Sequence, residues 1–311
     1  MIFISNLYAM KNTSSLLFVF STVCLTVVIG CKNSDKEQEP CISYPGPKPD
    51  SMALVFAKGI FSTDSSEFNS NFSQDGKLFF LSRRTPQGKT DIYISNFDGK
   101  NWGNPELASF SEPEFSEADP FITPDGTLYY ISDRKKNKSD TIPDYDIWYV
   151  HPLANGKWSE PENLEAVNSD STEYYVSLSD NKNVYFGSNR PGGFGLHDIY
   201  VSKFIDGKYS VPENLGPAVN AAELDHDPFI SKDEKLLIFT SKNRKDGYGK
   251  GDLYYSIKGE DGKWSQAQNM GKHINTASYD FCPYVTPDSK YFFFSSDNDI
   301  KWIDINYLPK N

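Results

Sequence analysis

The hydrophobic pattern of this chain is a repeating one. Short runs of aromatic and branched residues, such as Leu78-Phe79-Phe80-Leu81 and Tyr291-Phe292-Phe293-Phe294, are broken by Asp, Gly, Pro and Asn. Runs of this length and composition, bounded by turn residues, predict strands. No stretch sustains a helical period, so almost no helix is expected. Pro124-Asp125-Gly126 is a turn in which proline presets φ and glycine accepts a positive one. Asp98-Gly99, Asn155-Gly156, Asp206-Gly207 and Asp261-Gly262 are tight-hairpin dipeptides. Each is followed by lysine and then by an aromatic, at Trp102, Trp158, Tyr209 and Trp264.

These elements form one unit written five times. Each copy opens on an acid: Glu67, Glu117, Glu173, Asp225 and Asp280, at intervals of 50, 56, 52 and 55 residues. A second acid follows at Asp75, Asp125, Asp180, Asp233 and Asp288, and a third at Asp91, Asp146, Asp198, Asp252 and Asp299. One copy makes four strands, which is one blade. A repeat of about 50 residues built this way predicts an all-β chain, a β-propeller of five four-stranded antiparallel blades. The repeats lie near 67–106, 117–164, 173–215, 225–270 and 280–306, within a domain spanning 51–311. The fifth copy stops after Asp299-Ile300-Lys301-Trp302, whereas Met52–Ala57 precedes the first acid without a blade of its own. That segment is expected to close the ring as the outermost strand of the last blade.

The string Ser188-Asn189-Arg190-Pro191-Gly192-Gly193-Phe194-Gly195-Leu196-His197-Asp198-Ile199-Tyr200 resembles the TolB-like (WD-repeat-like) β-propeller repeat, as does Trp158-Ser159-Glu160-Pro161-Glu162-Asn163-Leu164. The resemblance covers about residues 52–306. It implies a periplasmic or outer-membrane protein of a Gram-negative bacterium that binds a protein or a glycan, and it names no activity.

Residues 1–30 read as an export leader. The stretch from Leu16 to Gly30 is mostly apolar and uncharged, with Lys11 ahead of it, and Val28-Ile29-Gly30-Cys31 resembles a lipobox. Cys31 is therefore the expected lipidation site, and an outer-membrane lipoprotein, periplasmic or surface-exposed, the expected location. Residues 31–50 are polar and proline-rich and are expected to form a flexible tether.

Charge narrows the partners. The chain has 31 Lys and Arg against 42 Asp and Glu, and losing Lys11 with the leader leaves a net charge of about −12. An acidic surface argues against nucleic acid. The partners expected are the membrane, through the anchor, and an envelope protein or glycan. Of the four cysteines, Cys24 lies in the leader and Cys31 at the anchor; Cys41 and Cys282 either pair or leave Cys282 a buried thiol.

The five leading acids sit just before the innermost strands, near one channel mouth, and Asp119 and Asp227 add carboxylates two residues on. Such a ring can hold a cation or a basic side chain; alternatively, each acid accepts backbone N–H groups and ties blade to blade. The basic ends, Arg83, Arg84, Arg134, Arg190, Lys242 and Arg244, can pair with these acids or meet an anionic glycan. Phe194, His197 and Tyr248 lie in glycine-rich hairpin loops and form a candidate ligand face. Asp140–Asp146 carries three carboxylates, which leaves calcium open, although the calcium-loop spacing is absent. No catalytic residue is assigned, since hydrolase motifs are missing and His151, His197, His226 and His273 share no repeat position. A non-enzymatic scaffold is the leading expectation, and a glycan-binding or glycan-cleaving propeller the alternative.

Overall fold

Each of the first four copies of the repeat folds into one four-stranded antiparallel sheet, and the fifth supplies three strands of another. The computed structural model describes residues 42–137, 141 and 144–308. Blade one contains β2 (Glu67–Phe72), β3 (Leu78–Arg84), β4 (Thr90–Asn96) and β5 (Glu106–Leu107). Blade two contains β6 (Glu117–Ile122), β7 (Leu128–Ser132), β8 (Asp146–Val150) and β9 (Glu162–Asn163). Blade three contains β10 (Glu173–Leu178), β11 (Val184–Ser188), β12 (Asp198–Ser202) and β15 (Glu213–Asn214), with a small extra hairpin of β13 (Phe204–Ile205) and β14 (Lys208–Tyr209). Blade four contains β16 (Asp225–Ile230), β17 (Leu236–Ser241), β18 (Asp252–Ile257) and β19 (Gln268–Asn269). Blade five contains β20 (Phe281–Val285), β21 (Tyr291–Ser296) and β22 (Asp299–Asp304), and its fourth strand is β1 (Leu54–Val55) from the other end of the chain. Among the described residues the helical structure is a single 3-10 turn, Ile305–Tyr307.

The ring closes where the sequence placed the seam. Leu54 pairs with Trp302 and Val55 with Lys301. Beside this seam Phe56 is fully buried, with its ring 4.8 Å from Phe293 and 5.1 Å from Trp302. The blades pack through apolar clusters at their boundaries, one of which, with Phe68, Ala118, Tyr175 and Cys282, reaches across the axis. Phe80 and Ile92 meet Leu128, Tyr130 and Trp148, for example, and Tyr185 and Ile199 meet Leu237 and Phe239. Flat rings suit this interface because they fill the space between two twisted sheets.

The tether does not run free over its whole expected length. Its described end, from Ile42, lies against the propeller. Ile42 is buried, and Tyr44 packs edge-on against Tyr291 at 4.7 Å and donates its hydroxyl to Asp288 Oδ1 at 2.8 Å. Trp102 Nε1 donates to the carbonyl of Ser43. Ile42 and Tyr44 dock this proline-rich segment on an aromatic surface that the sequence alone does not show. The leader, Cys31 and Cys41 lie outside the described residues.

The innermost strands share a feature that the sequence did not reveal. In every blade the register between the first and second strands slips just after the leading acid. The residue two places on takes a left-handed backbone: Asn69 (φ 55°), Asp119 (58°), Tyr175 (49°), Asp227 (51°) and Cys282 (51°). This is a β-bulge, which turns a side chain away from the sheet. Proline follows it at Pro120, Pro228 and Pro283, where the ladder has no use for an N–H.

If the seam carries the ring, Phe56→Ala should lower stability by about 3–5 kcal/mol, the usual loss for a buried phenylalanine. Chemical denaturation measures this, and a loss below about 1 kcal/mol would mean that the ring holds without its seam.

Candidate functional site

The leading acids are enclosed. The side chains of Glu67, Glu117, Glu173, Asp225 and Asp280 are all 0 % exposed. Four of them meet an arginine from the end of the second strand. Arg83 Nε donates to Glu67 at 2.9 Å, Arg134 to Glu117 at 2.6 Å, Arg190 to Glu173 at 2.8 Å and Arg244 to Asp225 at 2.7 Å. Each guanidinium also lies over an aromatic ring of its own blade, as Arg244 does over Tyr254 at 4.7 Å. In blade five Ser296 and Asn298 stand where the arginines of the other blades would be, and Asp280 is held by the N–H and hydroxyl of Thr276. The acids also fix the incoming chain four residues back, through the N–H groups of Thr63, Ser169 and Ala221. Burial pushes the Glu117 and Asp280 carboxyls up; for Glu117 the Arg134 guanidinium opposes that shift.

Arg84, included among the sequence candidates, is exposed; β-strand alternation gives Glu67 the neighbouring Arg83 as its cross-strand partner. Asp119 and Asp227 behave differently from the leads. The bulge aims them at the propeller axis, where they meet Asn69 and Cys282. Asn69 Nδ2 donates to Asp119 Oδ1 at 3.3 Å, and the Cys282 thiol lies 3.7 Å from a carboxylate oxygen of each aspartate. Cys282 is a free, buried thiol. Burial, with the Asp227 charge added, pushes Asp119 up to about 8.

Above this plug a relay reaches the mouth at which the innermost strands begin. His226 Nδ1 is 2.7 Å from Asp227 Oδ1, and its Nε2 is 2.7 Å from the Tyr279 hydroxyl. Tyr279 stacks on Phe281 at 4.8 Å, and Lys242 Nζ lies 4.4 Å over the Tyr279 ring. His197 joins the same rim, 5.2 Å from Tyr174, and burial followed by the neighbouring His226 lowers it to about 4. Phe194 and Tyr248 stay outside, 53 % and 54 % exposed. Their loops are held by aspartates of the repeat. Asp198 accepts from the N–H groups of Phe194 and Gly195, and Asp252 from those of Tyr248 and Gly249. The Asp140–Asp146 loop lies partly outside the described residues; within them Asp146 pairs with Lys136 at 3.2 Å.

The opposite mouth is open and different in kind. The ends of the innermost strands and the turns after them form a funnel of about 670 Å³. Phe121, Leu178, Phe229, Val285 and Leu308 are among its walls. Three of the second acids, Asp125, Asp180 and Asp233, stand at its rim, and Asp125 is tied into its turn by Thr123 and Asp233 by Ser231. No short motif marks this funnel. The signal available in the sequence is that the apolar residue four or five places after each lead faces the axis below the bulge.

No protein-family profile matches the chain, and no curated protein matches it by sequence. Solved structures match its fold. A TolB-type protein from Agrobacterium tumefaciens is 17 % identical, with a TM-score of 0.50 over 79 % of each chain. A glycoside hydrolase is 11 % identical, with a TM-score of 0.54 over 84 % of this chain and 92 % of the other. At these identities the likeness is one of architecture.

Arg134→Met leaves Glu117 as an uncompensated buried charge and should cost about 3–5 kcal/mol, while the double variant with Glu117→Gln should recover much of it. Denaturation of the three variants tests this, and equal losses in the single and double variants would contradict the pairing. Asp119 predicts a pH effect of definite sign. Its folded-state pKa is raised from 3.8 to about 8, so its contribution is full below about pH 4 and is lost as pH rises toward 8. Asp119→Asn should therefore gain on the wild type between pH 4 and 8 and hold a constant lead above. Melting curves across that range read the difference, and a flat difference would show that Asp119 titrates normally.

Proposed function

We propose that the chain is a lipid-anchored, non-enzymatic binding module of the bacterial outer membrane, periplasmic or surface-exposed, which takes an envelope partner in the apolar funnel. The observation that carries this reading is the contrast between the two mouths. Four of the five leading acids are occupied by arginines and the fifth by Thr276, and the axial carboxylates are buried among Asn69, Cys282 and His226. The open space of about 670 Å³ lies at the other end, behind apolar walls. Pockets of this size and character bind ligands by excluding water rather than by bond chemistry. In this reading no cofactor takes part, and Cys31 with its leader supplies the anchor.

A saccharide reading has its own support at the mouth with the relay. Tyr279, Phe281, Phe68, Tyr174 and Tyr145 form an aromatic rim there, with contacts such as Phe68–Phe281 at 5.7 Å and Tyr145–Tyr174 at 5.8 Å. These rings can stack on a sugar face.

A photo-crosslinking residue placed in cells at Val285, and separately at Tyr248 and Tyr174, distinguishes the two. Adducts from Val285 alone support the funnel. Adducts from Tyr174 or Tyr248 with none from Val285 would move the site to the opposite mouth.

A further inference from the structure

Six polar side chains of the funnel are already engaged from within. Asn71 Oδ1 accepts the N–H of Ile122 at 3.1 Å, and the Tyr284 hydroxyl accepts that of Phe72 at 3.0 Å. Ser179 donates to Glu234 at 2.7 Å, Thr123 to Asp125 at 2.6 Å, Ser231 to Asp233 at 2.7 Å and Thr286 to Asp288 at 2.8 Å. All six side chains line the funnel. A peptide or a sugar entering it would bring donors and acceptors that find few free partners, and each one left unpaired costs free energy. An alkyl chain brings none and gains from contact with Phe121, Leu178, Phe229 and Val285.

The rim carries charges of both signs. Asp125 accepts from Thr123 and Thr127, Asp233 accepts from Ser231 and Lys235, and Asp180 stands exposed beside them. Two lysines are exposed at the same rim. Lys182 makes only a loose pair with Asp125 at 3.8 Å, and Lys232 Nζ donates to the neutral Gln74 at 3.1 Å. With three carboxylates and two ammonium groups, this rim suits a polar head group left in water while the walls take an apolar tail.

We propose that the funnel binds the acyl tail of a long-chain amphiphile such as a fatty acid, with its head group left at the charged rim. This rests on the funnel reading above and names its ligand class. The ligand is a separate molecule rather than the protein's own acyl anchor, which must stay in the bilayer to hold the chain there.

The test uses the full chain carrying Cys31→Ser, so that no acyl group of its own is present, together with the lipidated wild type. Hexadecanoate and butanoate are titrated below micellar concentrations and followed by calorimetry and by the melting temperature. The expected result is saturable binding of one hexadecanoate to both proteins, with no response to butanoate. Val285→Asp and Phe229→Asp, each checked for an intact melting transition, should weaken binding at least tenfold.

Absence of hexadecanoate binding would overturn the proposal, as would equal binding of butanoate or unchanged affinity in both wall variants. Binding by Cys31→Ser but not by the lipidated protein would show that the protein's own tail fills the funnel, which overturns the separate ligand. Failure of this class is separable from failure of the site. A protein adduct from crosslinking at Val285, without hexadecanoate binding, would leave the funnel reading standing and remove the fatty acid.

Discussion

A carboxylate without access to water has to be paired where it lies, and the architecture of this propeller depends on that constraint. Each blade begins with such an acid. In blades one to four it draws an arginine back from the end of the second strand, and in blades one, three, four and five it fixes the N–H of the connection arriving from the previous blade. One buried group thus sets the start of the innermost strand, the end of its neighbour and the entry of the chain. Removing one partner is expensive because the other charge remains in a medium that solvates it poorly. Asparagines at equivalent places reinforce the pattern: Asn168, Asn220 and Asn275 each bridge the N–H and carbonyl of a third-strand residue, namely Ile147, Ile199 and Leu253.

The bulge two residues after the acid is the second determinant. It spends backbone strain at five equivalent positions to turn a side chain toward the axis. Neighbouring blades take up the N–H groups it frees: Ser295 accepts from Asn69, and Ser82 from Asp119. The five axial side chains are not equivalent in chemistry. Asn69, Asp119, Tyr175, Asp227 and Cys282 form a plug in which burial and the nearby Asp227 charge raise the Asp119 carboxyl. Above it the axis ends in the Tyr279–His226–Asp227 relay, and below it the axis widens into the apolar funnel. A pseudo-symmetric ring thereby acquires two unlike ends.

Much of this was legible in the chain. The hairpin dipeptides, the Pro124-Asp125-Gly126 turn and the spacing of the acids gave the blades, and the unpaired Met52–Ala57 segment gave the seam. These are local properties: turn residues and alternation act over a few bonds and keep their meaning wherever the segment ends up. The docking of Ile42 and Tyr44 was not legible, since two apolar residues in a proline-rich stretch have no partner until blades one and five stand side by side. The axial role of Cys282 was hidden for a similar reason. Its sequence neighbours mark it as a buried strand residue, and only the bulge turns it onto Asp119 and Asp227.

The sequence by itself determined the number of blades, the order of strands and the point of ring closure, because repetition and turn chemistry are written in consecutive residues. The tertiary structure alone decided which acids are sealed and which face the axis, which arginine of the Arg83-Arg84 pair is taken, and that the open cavity lies at the apolar mouth. Those outcomes depend on side chains from copies some 50 residues apart meeting across a closed ring. Their pairing follows from register, bulge and burial, none of which any one copy of the repeat contains.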